Sequence, residues 1–206
     1  MIQPCAMWCV IKPAVSPSLA VSPPPDPSLV ERLEHEHGIR PYFYHLDVHG
    51  QLFLHDTYPR NFTSCFKDPK FLDFFFSRIQ PNDRAGDPPE FQRLHQQYPW
   101  ISPCGKEMNF VEVADVPVVY HSLRDGHLVW AGTKTTPFLP DRLFVSESTG
   151  RIYHTLPPAI QQRWSHMKKP PLGLLKSSLV LAELVDKLDG ATFHWQGKDY
   201  ALTTTE

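Results

Sequence analysis

The stretch Phe43-Tyr-His-Leu-Asp-Val-His-Gly-Gln-Leu-Phe-Leu54 recurs in pattern as Leu143-Phe-Val-Ser-Glu-Ser-Thr-Gly-Arg-Ile-Tyr-His154, 100 residues further on. Each copy has an apolar run, an acid, a glycine and a second apolar run. Asp47 and Gly50 in the first copy answer to Glu147 and Gly150 in the second. Asp at the first and Gly at the last of four residues suits a β-turn. The pattern therefore predicts two β-hairpins, at 42–54 and 143–154.

The elements around the hairpins repeat as well. Asp68-Pro69 reads as a helix start, with Asp as N-cap and Pro at the first helical position. The run from Phe71 to Ile79 is apolar apart from a stripe at Lys70, Asp73 and Ser77, which predicts a helix buried on most of its circumference. Leu174, Leu181, Leu184 and Leu188 predict a second long amphipathic helix after the second hairpin. Each helix precedes a further hairpin, beginning at Asn109-Phe110 and at Thr192-Phe193. Ser28 with Glu31 reads as a capping box opening a short helix that Gly38 stops. Asp87-Pro88 and Pro157-Pro158 read as two more helix starts. The expected fold is α+β: two related halves, each an antiparallel hairpin or short sheet packed on a long apolar helix. Residues 1–27 are expected to be a disordered Pro-rich leader, 28–127 the first half and 128–206 the second.

Composition narrows the function classes. The 206 residues are 41% hydrophobic with 13 Phe, 7 Tyr and 5 Trp, enough for a packed core. A net charge of −2 argues against a nucleic-acid binder built on phosphate neutralisation. Four Cys are too few for a disulfide scaffold in a chain of this length. No apolar run reaches the roughly 18 residues that a membrane span needs. Of 22 Pro, seven fall within residues 1–27. That segment is poor in acids, as a transit peptide is, but Lys12 is its one base, and it lacks the basic start and unbroken apolar run of a secretory signal. A mitochondrial or cytoplasmic location is expected, not secretion.

No phosphate-cradling glycine loop, H-E-x-x-H, C-x-x-C or G-x-S-x-G is present, and no catalytic residue is assigned. Whether the protein is an enzyme stays open at this level. His35 and His37 point apart on a helix, and a turn interrupts the alternation of His45, Asp47 and His49, so these are read as solvated imidazoles. No metal or cofactor is expected. Cys5 and Cys9 read as bland thiols. The candidate binding residues are Asn61, Lys67, Asp68 and Arg78, around the aromatic helix, with Cys104, Lys106, Glu107 and Asn109. Basic groups beside an aromatic wall suit an anionic ligand. The leading function is a non-catalytic binding or regulatory module with a protein partner. The alternatives are an enzyme using Cys104 with a His or Glu107, and a small anionic ligand-binding protein using Lys67, Arg78 and Lys106.

The same residues carry a resemblance. Tyr42-Phe-Tyr44, Asn61-Phe62, Cys65-Phe-Lys-Asp-Pro69, Phe75-Phe-Ser-Arg78, Cys104-Gly105, Asn109-Phe110, Gly150-Arg-Ile-Tyr-His154 and Trp195-Gln-Gly-Lys198 resemble uncharacterised protein family 0598 over about residues 41–204. That family has no established activity, so the resemblance transfers no catalytic residue. It implies a mitochondrial location, as thought for animal members. The element order is also distantly similar to the bacterial domain of unknown function 1285, whose fold is of repeated α+β motifs.

Overall fold

The structure is a computed structural model and describes residues 23–83, 92–167 and 172–205. The expected leader, apart from its last five residues, and the Asp87-Pro88 helix start lie outside the described residues. The first sheet comprises β1 (Arg40–Leu46), β2 (Leu52–Leu54), β3 (Gln80–Pro81), β4 (Trp100–Cys104) and β5 (Glu107–Val113), in the order β2-β1-β5-β4-β3. The hairpin β1–β2 forms as expected, with Tyr44 opposite Leu54 and Leu46 opposite Leu52. Gly50 closes its turn at φ 78°, a conformation glycine adopts without penalty. Asp47 fixes the same turn by accepting the backbone N–H groups of His49 and Gln51. A parallel pair then forms across 67 residues of chain, with His45 beside Glu112.

Three helices cover this sheet. Helix α1 (Pro27–His35) is capped by Asp26, which accepts from Ser28 N–H at 2.9 Å. The cap is therefore two residues earlier than the Ser28 box, because Pro27 is pre-set for the first helical position. Gly38 ends α1 at φ 62°, with Ile39 N–H returning to the Leu33 carbonyl. Helix α2 (Pro69–Ser77) starts where expected: Asp68 accepts from Phe71 N–H at 2.7 Å. Helix α3 (Gln92–Gln97) is short. Leu29 and Leu33 of α1, with Leu94 and Tyr98, pack on Ile101 and Phe110 on one face of the sheet. Helix α2 packs on the other face, where Phe75 meets Tyr44 with ring centroids 5.1 Å apart.

The second sheet comprises β6 (Val119–Arg124), β7 (His127–Trp130), β8 (Lys134–Pro137), β9 (Leu143–Ser146), β10 (Ile152–Thr155), β11 (Leu172–Leu175) and β15 (Thr203–Thr205). Its order is β15-β9-β10-β11-β6-β7-β8. The β9–β10 hairpin matches the expectation, and Gly150 has φ 68°. In both hairpins the first strand also takes a later strand in parallel, β5 on β1 and β15 on β9. The β6–β7 hairpin spans the 127/128 division expected from the sequence. Pro117 precedes β6 and lies outside the ladder. A small third sheet, β12 (Leu188–Asp189), β13 (Thr192–Trp195) and β14 (Lys198–Ala201), packs Phe193 and Trp195 against Phe138.

The helices correct the expected architecture. Residues 174–188 are not one helix. Leu174 and Leu175 end β11, α5 (Ser177–Glu183) follows, and a 3-10 turn covers Val185–Lys187. Helix α4 (Pro158–Arg163) opens at the expected prolines. The longest described helices have nine residues, so a mixed α+β core with several sheets replaces hairpins laid on long helices. That core joins Tyr44, Trp100 and Val111 of the first sheet through Phe75 and Phe76 to Tyr120, Trp130 and Ile152 of the second. Trp100 and Trp164 meet at 4.5 Å between centroids.

Candidate functional site

Between β2 and α2 the chain holds an ordered loop that displays aromatic rings. Asn61 Oδ1 accepts from Thr63 N–H and from the Thr63 hydroxyl, an Asx turn. Ser64 Oγ accepts from Asn61 N–H and donates to the Pro59 carbonyl. Arg60 donates to the His55 carbonyl at 2.7 Å. On this scaffold Tyr58 and Phe62 are 86% and 70% exposed. Phe66 turns inward against Phe71 and Tyr44.

Cations sit on the exposed rings. Lys67 Nζ lies 4.3 Å from the Phe62 centroid, and the Arg78 guanidinium 3.7 Å from that of exposed Phe74. Lys67, Lys70, Phe74 and Arg78 fall near one side of α2 by helical spacing. From residue 57 to residue 78 the acids are Asp68 and Asp73. Both are occupied. Asp68 caps α2. Asp73 accepts from the N–H groups of Gly132 and Thr133 at 3.1 and 3.0 Å and from the Thr133 hydroxyl. Lys67, Lys70 and Arg78 have no ion pair among the described residues.

Asp73 therefore ties α2 to the β7–β8 turn. Burial raises the pKa of its carboxyl, but hydrogen bonds from Thr133 and Gly132 outweigh that and hold it below the usual value. Asp73→Ala is expected to cost about 1–2 kcal/mol in urea unfolding at pH 7. A lowered carboxyl pKa gives stability that is present above about pH 4 and lost as pH falls through the native value. The cost of the substitution should accordingly shrink on acidification.

The eight candidate residues fall into two groups. Asn61, Lys67, Asp68 and Arg78 flank α2: Asn61 organises the loop, Asp68 is a cap, and the two cations are displayed. Cys104, Lys106, Glu107 and Asn109 lie at the β4–β5 hairpin, with Cys104 opposite Glu107. Glu107 pairs with Arg40 at 3.6 Å, and Lys106 is exposed. Asn109 is buried and donates to the Ser102 carbonyl. No hydrogen bond or ion pair joins the two groups among the described residues.

A polar network that local sequence does not announce lies on the opposite face of the first sheet. His45 Nδ1 is 3.0 Å from Glu112 Oε2, and His55 Nδ1 is 3.8 Å from the same oxygen. The Tyr98 hydroxyl is 3.3 Å from His55 Nδ1. Burial, with the Glu112 carboxylate, pushes the Tyr98 phenol well above its ordinary pKa, so it stays a donor. The sequence spacing suggests a solvated imidazole at His45, whereas the side chain is half-buried and bonded. The parallel register of β1 and β5 brings His45 to Glu112, and nothing in the local sequence announces that register.

Fold and surface together define a mixed α+β protein with an aromatic–basic display face. The chain belongs to the family described as a domain of unknown function, DUF4505, whose model matches residues 33–205. It is similar to two solved structures of DUF1285 family proteins, the bacterial group that the sequence resembles distantly. One, from Silicibacter pomeroyi DSS-3, is 15% identical with a TM-score of 0.42, covering 82% of this chain and 86% of that one. The other, from Shewanella baltica OS155, is 12% identical with a TM-score of 0.39, covering 71% and 92%. Among the described residues no helix is long and apolar enough to cross a membrane.

Proposed function

We propose that the protein is a non-catalytic binding module that docks an acidic segment of a partner protein on its aromatic–basic face. The observation that carries this reading is the pair of exposed rings, Phe62 and Phe74, each covered by a cation that no carboxylate pairs among the described residues. Exposed aromatic rings clustered on one surface mark interaction sites. The hydrogen-bonded loop around Asn61 and Ser64 presents them in a fixed geometry, which lowers the ordering cost of association. Unpaired cations beside them favour an acidic partner and suppress a basic one. In this reading Lys67 and Arg78 make contact, while Asn61 and Asp68 hold the backbone that carries them.

A photo-crosslinking residue in place of Phe62, irradiated in the cells of origin, tests this. The expected product joins position 62 to a segment rich in Asp and Glu, and Lys67→Glu with Arg78→Glu lowers its yield at least about tenfold without changing the melting temperature. No product, a product with a segment lacking excess acid, or a yield indifferent to charge reversal would overturn the reading. We also read the two halves as related, on the strength of the matching Gly50 and Gly150 turns and the matching parallel strands on β1 and β9. The compartment proposed is mitochondrial or cytoplasmic, and imaging of the full chain with a C-terminal tag distinguishes the two.

A further inference from the structure

The face of β6, β7 and β8 that bears His121 and Val129 carries a cavity of about 380 Å³. Small-molecule sites begin at roughly 300 Å³. Its shape has local causes. The ladder pairs Tyr120 with Trp130 and Ser122 with Val129, leaving His121 as the extra residue of a bulge. A bulge bends its strand and re-aims one side chain, and His121 lines the cavity. The wall formed by Gly132 and Thr133 is held by Asp73. Arg124 and His127 face each other across the tight turn at Asp125-Gly126.

Charges of both signs surround this cavity, with Asp73 behind its Gly132–Thr133 wall. Arg124 and Lys176 have no ion pair among the described residues, and both act on His121. The acid on the lining is Asp125, exposed at the turn. The His121 ring is also bonded to the Ala131 carbonyl and lies 3.4 Å from the Ser122 hydroxyl. His127 Nδ1 is 2.9 Å from the Asp125 carbonyl, so its hydrogen sits on that nitrogen. The Thr135 hydroxyl completes the set of groups facing the space.

We propose that this cavity binds inorganic phosphate or a phosphomonoester, held by Arg124, His121 and Thr135. Arg124 supplies the planar fork that matches a phosphate. Arg124 on the lining and Lys176 beside His121 are offset by Asp125 at the turn and by Asp73 behind the Gly132–Thr133 wall, so the net positive charge that an anion meets is the one His121 gains on protonation. Burial and then the two neighbouring cations lower the proton affinity of His121 in the free protein. A bound dianion reverses the second effect, so anion binding draws a proton onto His121.

The test uses the full chain and imidazole ¹H–¹⁵N spectra, with the His121 signals assigned through His121→Gln. Inorganic phosphate at pH 7 should move the His121 and His127 signals along a saturable curve. Arg124→Gln should weaken that binding at least about tenfold. Sulfate, a dianion throughout, should bind more tightly at pH 5.5 than at pH 7.5, and that gain should shrink in His121→Gln and vanish when His127→Gln is added. Lys67→Ala with Arg78→Ala should leave all of this unchanged, so failure here and failure of the docking reading are separable. A shift linear in phosphate and matched by chloride at equal ionic strength, or binding indifferent to Arg124→Gln, would overturn the proposal.

Discussion

Gly132→Ala is expected to destabilise the protein by about 4 kcal/mol, or to abolish folding at 37 °C. A Cβ on Gly132 would lie 2.6 Å from Pro69 Cα and 2.7 Å from its carbonyl carbon, with the carbonyl oxygen closer still. These are backbone atoms of the first turn of α2, fixed by the Asp68 cap and by the Asp73 bonds to Gly132 and Thr133. Side chains can rotate away from an added methyl, but here an entire helix start would have to retreat. That movement would break the Asp73 bonds and open the core behind Phe75 and Phe76. Overpacking of an ordinary core site costs about 1–3 kcal/mol, and this site exceeds it because the obstacle is main chain. Gly38→Ala is the control. Gly38 has a left-handed φ of 62° but nothing within 4 Å of an added Cβ, so its cost should stay near 1 kcal/mol. Urea unfolding of the two variants separates steric exclusion from backbone strain. A Gly132→Ala protein within about 1 kcal/mol of the parent would show that α2 is not locked against the β7–β8 turn.

What the sequence made legible follows the range of the interactions. Asp68-Pro69 announced α2 because cap and proline act within one helical turn. Asp47 and Gly50 announced the first hairpin because a turn is four residues long. The pattern at 174–188 suggests one helix where strand and helix alternate, for a physical reason. Leu172-Gly-Leu-Leu175 is a short apolar run, and such a run satisfies a buried strand or a helix equally well. Gly173 decides the matter in space, since its missing Cβ leaves room for the Tyr120 ring. Tyr120 is 53 residues away. The strands β4, β8 and β15 are hidden in the sequence for similar reasons: Pro103, Lys134 and a run of threonines do not look like sheet until partners are known.

The candidate site divides along the same line. Lys67 and Arg78 were legible as cations flanking an aromatic helix, and they are displayed as such. Asn61 and Asp68 were legible as polar residues, but their work is local bonding of the backbone. The His45–Glu112 pair and the His121 cavity were not legible. The first depends on a parallel register across 67 residues, and the second on a one-residue bulge.

His154 carries the second large effect, and its signature is pH dependence. The side chain is 1% exposed, stacked on Phe138 and edge-on to Tyr120. Its Nε2 accepts from Leu139 N–H at 3.0 Å, which requires a lone pair there, so the hydrogen sits on Nδ1 and is donated to the Thr155 carbonyl at 2.8 Å. The ring thus joins β10 to the segment entering the 3-10 turn at Pro140–Arg142, and does so as the neutral tautomer. His154→Phe keeps the stacking but strands the Leu139 N–H, while the Thr155 carbonyl keeps the Tyr120 hydroxyl at 2.8 Å, at a cost of about 1–3 kcal/mol at pH 7.5. Burial holds the imidazole below its ordinary pKa despite the backbone carbonyls that favour the charged form. The unfolded chain therefore binds a proton near pH 6.5 that the native state refuses. The stability that native His154 contributes is complete above about pH 6.5 and declines, by up to about 1.4 kcal/mol per pH unit, as pH falls toward the native value. His121 adds a decline of the same sign in the parent and in His154→Phe alike. The gap between the two proteins should thus narrow between pH 7.5 and pH 5, while His121 leaves a residual slope in both. A gap that widened as pH fell would mean that His154 is protonated in the native state with the Leu139 carbonyl, 3.2 Å from Nε2, as its partner, and a constant gap would mean that folding does not shift its proton affinity.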